Sequence, residues 1–207
     1  EQSPDAWWQA LVLAFKGALA AAPAMEVEAI SIAGQCHGLV PLDSARRVIR
    51  PAKLWNDTTS DGELQKLISD IGADAFIART GSLPTAAFTI GKVAWLVANE
   101  PDNAARMATM LLPHDYLTFR LTGEFVTDRS EASGTGYFDA DRNVYLFDFL
   151  RRISPNTAWE TMVPRVAGPN EIVGHVSTQA AQELGIRPGI IVGAGGGDQH
   201  ASAVGLG

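Results

Sequence analysis

The chain is poor in cysteine, in positive charge and in long apolar runs, and each shortage removes a class of protein. Cys36 is the single cysteine among 207 residues, which excludes an internal disulfide and any multi-cysteine zinc site. A reducing, cytoplasmic setting is therefore expected. Lysine plus arginine number 16 against 23 aspartate plus glutamate, a formal net charge of −7. Binding a nucleic-acid backbone or an anionic membrane surface takes a cationic face, so neither partner is expected. The one dense basic run, Arg46-Arg47-Val48-Ile49-Arg50, is too short to reverse that balance. The longest stretch without Asp, Glu, Lys or Arg covers residues 29–42, 14 residues that include Gly34, Gln35, His37 and Pro41. A membrane-spanning helix needs about 20 apolar residues, so none is expected.

Enough apolar material remains for a core, at 46% of the chain with 19% charged. No repeat or low-complexity linker breaks the sequence, and a single α/β unit is expected. Glu1 is not a natural start, and residues 201–207 stop inside an apolar run without a cap. The expectation is a piece of a longer protein, cut at both ends.

Ser3-Pro4 followed by Trp7, Leu11, Phe15 and Leu19 predicts an amphipathic helix that Pro23 ends. Residues 27–33, with Ile30 and Ile32, predict a short strand closed by Gly34. Residues 38–55 read as two extended segments around the turn Asp43-Ser44-Ala45-Arg46. From Thr58 to about Gly134 helical spacing dominates. One stripe is Leu64, Leu67, Ile68 and Ile71, ended by Gly72; a second is Val93, Leu96 and Val97, stopped by Pro101. A third, Tyr116, Leu117, Arg120 and Leu121, lies between Pro113 and Gly123. Beyond Pro155 a loop-like stretch is expected, then a helix over 178–184 ended by Gly185 and a strand over 190–192.

Chemistry concentrates at two glycine-bounded segments. Residues 190–204 run from strand through Gly193-Ala194-Gly195-Gly196-Gly197-Asp198-Gln199 into a helix. Glycines there let backbone approach a ligand at the carboxyl edge of a sheet. Asp198 would stand at a helix N-terminus, which favours a carboxylate and suits a general base for a hydroxyl. A plain N-cap is the alternative. The dinucleotide fingerprint begins with Gly193 and Gly195 but has Asp198 at its last glycine, where a carboxylate would face pyrophosphate. A nicotinamide-dependent oxidoreductase is thus a poor option, and Gly91-Lys92-Val93 lacks the Walker A spacing.

The second segment, Gly34-Gln35-Cys36-His37-Gly38, follows a strand and offers three hydrogen-bonding side chains, as a polyol site needs. A strand-end loop with an incidental histidine is the alternative. Cys36 has no base near it in sequence and is not proposed as a nucleophile. His37, His114, His175 and His200 include no pair at metal-ligand spacing. Trp55 could stack on a sugar ring, while Asn56 or Asp57 could cap the next helix. Residues 127–135 read as a polar loop crossing a surface.

Seven segments in order resemble the FGGY family of carbohydrate kinases, and within it the xylulokinase group. They are Ile32-Ala33-Gly34-Gln35-Cys36-His37-Gly38, Leu54-Trp55-Asn56-Asp57, Phe88-Thr89-Ile90-Gly91-Lys92-Val93-Ala94-Trp95-Leu96, Leu112-Pro113-His114-Asp115-Tyr116-Leu117, Leu121-Thr122-Gly123-Glu124-Phe125, Thr127-Asp128-Arg129-Ser130-Glu131-Ala132-Ser133-Gly134-Thr135 and Gly195-Gly196-Gly197-Asp198-Gln199. The resemblance implies a ribonuclease H-like, actin-like α/β fold. Residues 1–207 would be the sugar-binding first of two domains, without the first hairpin and its Asp-x-Gly-Thr phosphate motif. The C-terminal nucleotide-binding domain would lie outside this chain, leaving the chain alone inactive.

By the same resemblance Asp198 is the catalytic base, and Gln35, Cys36, His37, Trp55, Asp198 and Gln199 contact the sugar. ATP and Mg²⁺ are the implied cofactors and D-xylulose the implied substrate, while a homodimer is left open. Cys36 stands where related kinases often have methionine, and Gln199 where many xylulokinases have asparagine. Gly-Asp-Gln also occurs in glycerol kinases, which however carry an Arg-Glu pair near the Gln35 position. The alternatives are a kinase for glycerol, gluconate or ribulose, or a non-catalytic sugar-binding relative.

Overall fold

A computed structural model of the chain describes residues 1–207. Helix α1 (Pro4–Ala21) begins where the fixed φ of Pro4 suits a first turn, although the Ser3 side chain places no cap on it. The expected stripe Trp7, Leu11, Phe15, Leu19 is only half-buried, and the neighbouring Trp8 is the large side chain that reaches the core. Its indole N–H donates to Glu183 Oε2 at 2.5 Å. Two short strands, β1 (Ala29–Ile30) and β2 (Ala33–Gly34), replace the one strand expected there, and β3 (Val40–Leu42) follows.

Helices α2 (Asp61–Ile71), α3 (Ala73–Thr80) and α4 (Thr89–Asn99) bury Leu64, Leu67, Phe76, Ile90, Val93 and Leu96 in one apolar cluster. Asn56 and Asp57 do not cap α2, whose N-cap position is Ser60. Asp57 instead accepts the Thr59 N–H at 2.9 Å and pairs with the buried Lys53 ammonium at 3.2 Å. Burial works against the Asp57 charge, but the Thr59 and Lys53 hydrogen bonds prevail and hold it at about 2. Pro101 follows the end of α4 as expected, yet it also opens a new helix, α5 (Pro101–Arg106).

The region expected to be helical throughout also contains strands. In chain order come β4 (Thr109–Leu111), α6 (Pro113–Thr122), β5 (Val126–Asp128) and α7 (Arg129–Ser133). The hairpin β6 (Phe138–Asp139) and β7 (Val144–Tyr145) leads to α8 (Phe147–Ile153). The stretch after Pro155, expected to be loop, forms β8 (Arg165–Ala167) and β9 (Ile172–His175). Each of these strands has two to four residues, too few to show an alternating pattern, and each gains its identity from a partner elsewhere. Strand β4 pairs antiparallel with β3, and β8 pairs parallel with β5. Helix α9 (Thr178–Leu184) stands where its spacing predicts, capped by Ser177 and closed by Gly185 in the left-handed region.

The chain ends through β10 (Ile191–Gly193), β11 (Gly196–Gly197) and α10 (Asp198–Leu206). Strand β10 lies between β1 and β9, parallel to the first and antiparallel to the second. Farther along the same two chain segments β11 pairs parallel with β2, now offset by one residue. Gly195 absorbs the extra residue with φ +77°, a conformation that a side chain opposes, and a Cβ there would lie 2.3 Å from the Ile32 carbonyl oxygen. A second apolar cluster, with Ile32, Leu121, Val126, Val173, Leu184 and Val192, holds this sheet against α1, α6 and α9. No helix is long and apolar enough to cross a membrane.

Two glycine substitutions separate local propensity from this tertiary demand. Gly195→Ala should lower the unfolding free energy by about 1–3 kcal/mol through backbone strain and the clash with Ile32. Gly17→Ala, in α1 with open space around it, should raise it by roughly 0.5–1 kcal/mol. Urea denaturation of the two variants checks both signs.

Candidate active site

Parallel strands end at the same edge of a sheet, so the loop after β2 and the start of α10 emerge side by side. The first carries Gln35, Cys36 and His37; the second carries Asp198 and Gln199. With Trp55 these residues line a cleft of about 130 Å³. All six sugar-site candidates therefore share one surface. Glycine at position 34 lets α6 pack close, since a Cβ there would sit 2.9 Å from His114 Cβ.

Asp198 is the first residue of α10, with Gly197 in the N-cap position, so the plain N-cap alternative does not hold. Its Oδ1 accepts the Gln199 N–H at 2.8 Å and the Cys36 S–H at 3.6 Å. Burial, together with the Glu131 and Asp198 carboxylates, pushes the Cys36 thiol up, which keeps it protonated and unsuited to nucleophilic attack. His37 adopts φ +66°, in the left-handed region unusual for a residue with a side chain. Its ring stacks on Phe88 at 4.9 Å, and its carbonyl accepts the Thr89 hydroxyl at 3.1 Å. Gly134 makes room for that ring, because a Cβ there would fall 2.3 Å from His37 Cε1. Burial lowers the basicity of His37, leaving a neutral imidazole with one donor and one acceptor. Lys92, wholly buried, donates to the carbonyls of Ala86, Ala87 and Phe88 and so holds the segment on which His37 rests. Burial brings its ammonium down to about 8.

Beneath the cleft lies a buried polar layer that the sequence reading missed. Residues 127–135 do not cross a surface: Thr127, Asp128 and Glu131 are buried there. Asp128 caps α7 by accepting the Ser130 N–H at 2.7 Å and the Glu131 N–H at 3.3 Å. His114, fully enclosed, approaches Asp115 Oδ1 at 3.2 Å, Asp128 Oδ1 at 3.5 Å and Glu131 Oε2 at 3.8 Å. Asp115 Oδ2 accepts the Leu112 N–H at 2.9 Å and so closes the start of α6. Burial raises Asp115 to about 7, and burial with the Asp128 and Asp198 charges raises Glu131 to about 8. The Asp128-x-x-Glu131 spacing is a capping signal, and it was the available clue that Glu131 sits on a first helical turn.

Solved sugar kinase structures share this framework. The xylulose kinase from Rhodospirillum rubrum superposes with a TM-score of 0.93 at 27% identity, covering 100% of this chain and 42% of that one. The xylulose kinase from Bifidobacterium adolescentis superposes with a TM-score of 0.86 at 31% identity, covering 99% of this chain and 47% of that one. The model of the FGGY family of carbohydrate kinases, N-terminal domain, matches residues 1–205, and the chain belongs to that family with its ribonuclease H-like, actin-like fold. The xylulose kinase of Streptomyces coelicolor is 43% identical over 208 residues, 100% of this chain and 42% of that protein. The chain thus spans about two fifths of the curated relatives it matches.

The raised carboxyl at Asp115 has a consequence for stability. The unfolded chain ionises Asp115 near its ordinary value of 3.8, the folded chain only near 7. Between those values the folded state holds a proton that the unfolded state has released, so stability falls as pH rises from about 4 to about 7. Asp115→Asn keeps an acceptor for Leu112 and should show a shallower decline, read as Tm against pH for both proteins.

Proposed function

We propose that the full-length protein transfers phosphate from ATP to the ketose D-xylulose, and that residues 1–207 form its sugar-binding N-terminal domain. A second domain supplies the nucleotide pocket, and Mg²⁺ enters with ATP as part of that substrate. One observation carries the proposal: the Asp198 carboxylate opens into the cleft formed by Gln35, Cys36, His37, Trp55 and Gln199. The size of the cleft favours a small polyol, since pockets for larger ligands run from roughly 300 Å³ upward.

In this reading the sugar hydroxyl attacks the γ-phosphorus, the bond to the β,γ-bridging oxygen breaks, and ADP departs. Asp198 accepts the hydroxyl proton. Gln35 and the neutral imidazole of His37 hold the remaining hydroxyls, each able to donate and accept. Gln199 adds an amide, Cys36 a small apolar wall with a weak donor, and Trp55, 54% exposed, a flat face for the sugar's C–H groups. Mg²⁺ on the phosphates neutralises charge that builds on the transferring group.

An ADP-release assay on the full-length protein with D-xylulose, D-ribulose, gluconate and glycerol tests the substrate. Turnover should be highest per unit concentration with D-xylulose; preference for another sugar would replace it. Asp198→Asn should lower kcat by about 10²- to 10⁴-fold, the usual weight of a positioned general base. Near-normal turnover in that variant would remove Asp198 from the role.

A further inference from the structure

The floor of the cleft holds a second constellation that shares only Cys36 with the proposed sugar site. Ligand atoms of Cys36, Glu131 and His200 lie within 4.8 Å of one another. They arrive from the loop after β2, the first turn of α7 and the first turn of α10. These atoms converge beside Gly197, where only a glycine fits: a Cβ there would lie 2.2 Å from Glu131 Oε1, 2.6 Å from Cys36 Sγ and 3.0 Å from His200 Nδ1. Glu131 is 2% exposed, and neither carboxylate oxygen has a hydrogen-bond partner. Its nearest basic neighbour, His114 Nδ1 at 3.8 Å, is outside hydrogen-bonding range. A buried carboxyl group whose oxygens have no hydrogen-bond partner is costly, and a cation bound to it removes that cost.

We propose that Cys36, Glu131 and His200, with Asp198 beside the sulfur, form a binding site for a thiophilic divalent cation of the zinc class. The donor set selects the metal. A thiolate, an imidazole and carboxylates suit zinc, whereas magnesium prefers six oxygens and keeps much of its water. The geometry agrees. Zinc bonds of about 2.3 Å to sulfur and 2.0 Å to oxygen at a tetrahedral angle place the two ligand atoms roughly 3.5 Å apart. The ligand atoms of Cys36, Glu131 and His200 lie within 4.8 Å of one another, so they need only close in slightly to reach that spacing. His200 is exposed and free to swing inward to close the remaining distance. Binding is an exchange without redox change: the Cys36 S–H proton and the proton on the buried Glu131 carboxyl both pass to solvent as the sulfur–metal and oxygen–metal bonds form. A cation held there lies next to Asp198, so on the functional reading above it also hinders phosphoryl transfer; the metal site itself does not depend on that reading.

Cobalt(II) titration of the untagged full-length protein tests the site, because a cobalt–thiolate bond produces a near-ultraviolet charge-transfer band and tetrahedral cobalt absorbs in the visible. One equivalent of Co²⁺ should develop both bands, and Zn²⁺ should displace them. Cys36→Ser should abolish the charge-transfer band. His200→Gln, a change at an exposed position that leaves the core intact, should weaken cobalt affinity by about tenfold or more. His175→Gln, another exposed histidine but outside the cleft, should leave it unchanged. Absence of the charge-transfer band in the parent protein, or equal cobalt affinity in His200→Gln and the parent, overturns the proposal.

Discussion

The parallel pairing of residues 29–34 with residues 191–197 is the constraint on which the rest of this molecule depends. Because the two segments run in one direction, their carboxyl ends open on the same edge, and each ends in a functional loop. The Gly196 N–H donates to the Ile32 carbonyl at 3.0 Å just beyond the one-residue offset, so the pairing resumes in time to aim Gly197 and Asp198 at Cys36. Parallel strands cannot be joined by a tight turn. Here nearly the whole chain forms the connection, and the cleft exists only once the helical cluster around Leu64, Phe76 and Trp159 and the sheet cluster around Val192 have both closed.

A cleft held open by glycines needs a firm base, and the protein builds it from polar rather than apolar groups. His114, Asp115, Asp128 and Glu131 sit between α6, α7 and the paired strands with several atoms lacking a hydrogen-bond partner. Such a layer gives up stability compared with a hydrocarbon core. Burial offsets part of this by favouring protonated Asp115 and Glu131, which reduces the charge that must be enclosed. The layer also brings Glu131 beneath Cys36 and Asp198, at the floor of the cleft.

Much of the helical framework was legible along the chain. Helix α6 runs from Pro113 to a left-handed Gly123, and α9 from the Ser177 cap to Gly185, because caps and 3.6-residue spacing act within a few residues of each other. The short strands β4, β5, β8 and β9 were not legible, since their hydrogen bonds go to partners far along the chain whose position local pattern does not encode. Polar composition misled at residues 127–135, where Glu131 reads as surface and is enclosed. Asp57 misled differently: Lys53, brought beside it by the fold, competes successfully with the helix end it was expected to cap.

Family, fold class and the six cleft residues were legible in the sequence as a resemblance carried by seven short motifs in order, since such motifs keep their spacing along the chain. Which groups lie underneath them was settled by packing. The burial of Glu131, the turn of His37 onto Phe88 and the approach of His200 to Cys36 each arise from contacts between segments far apart in the chain, and burial and electrostatic environment are properties of that assembled neighbourhood rather than of any residue type.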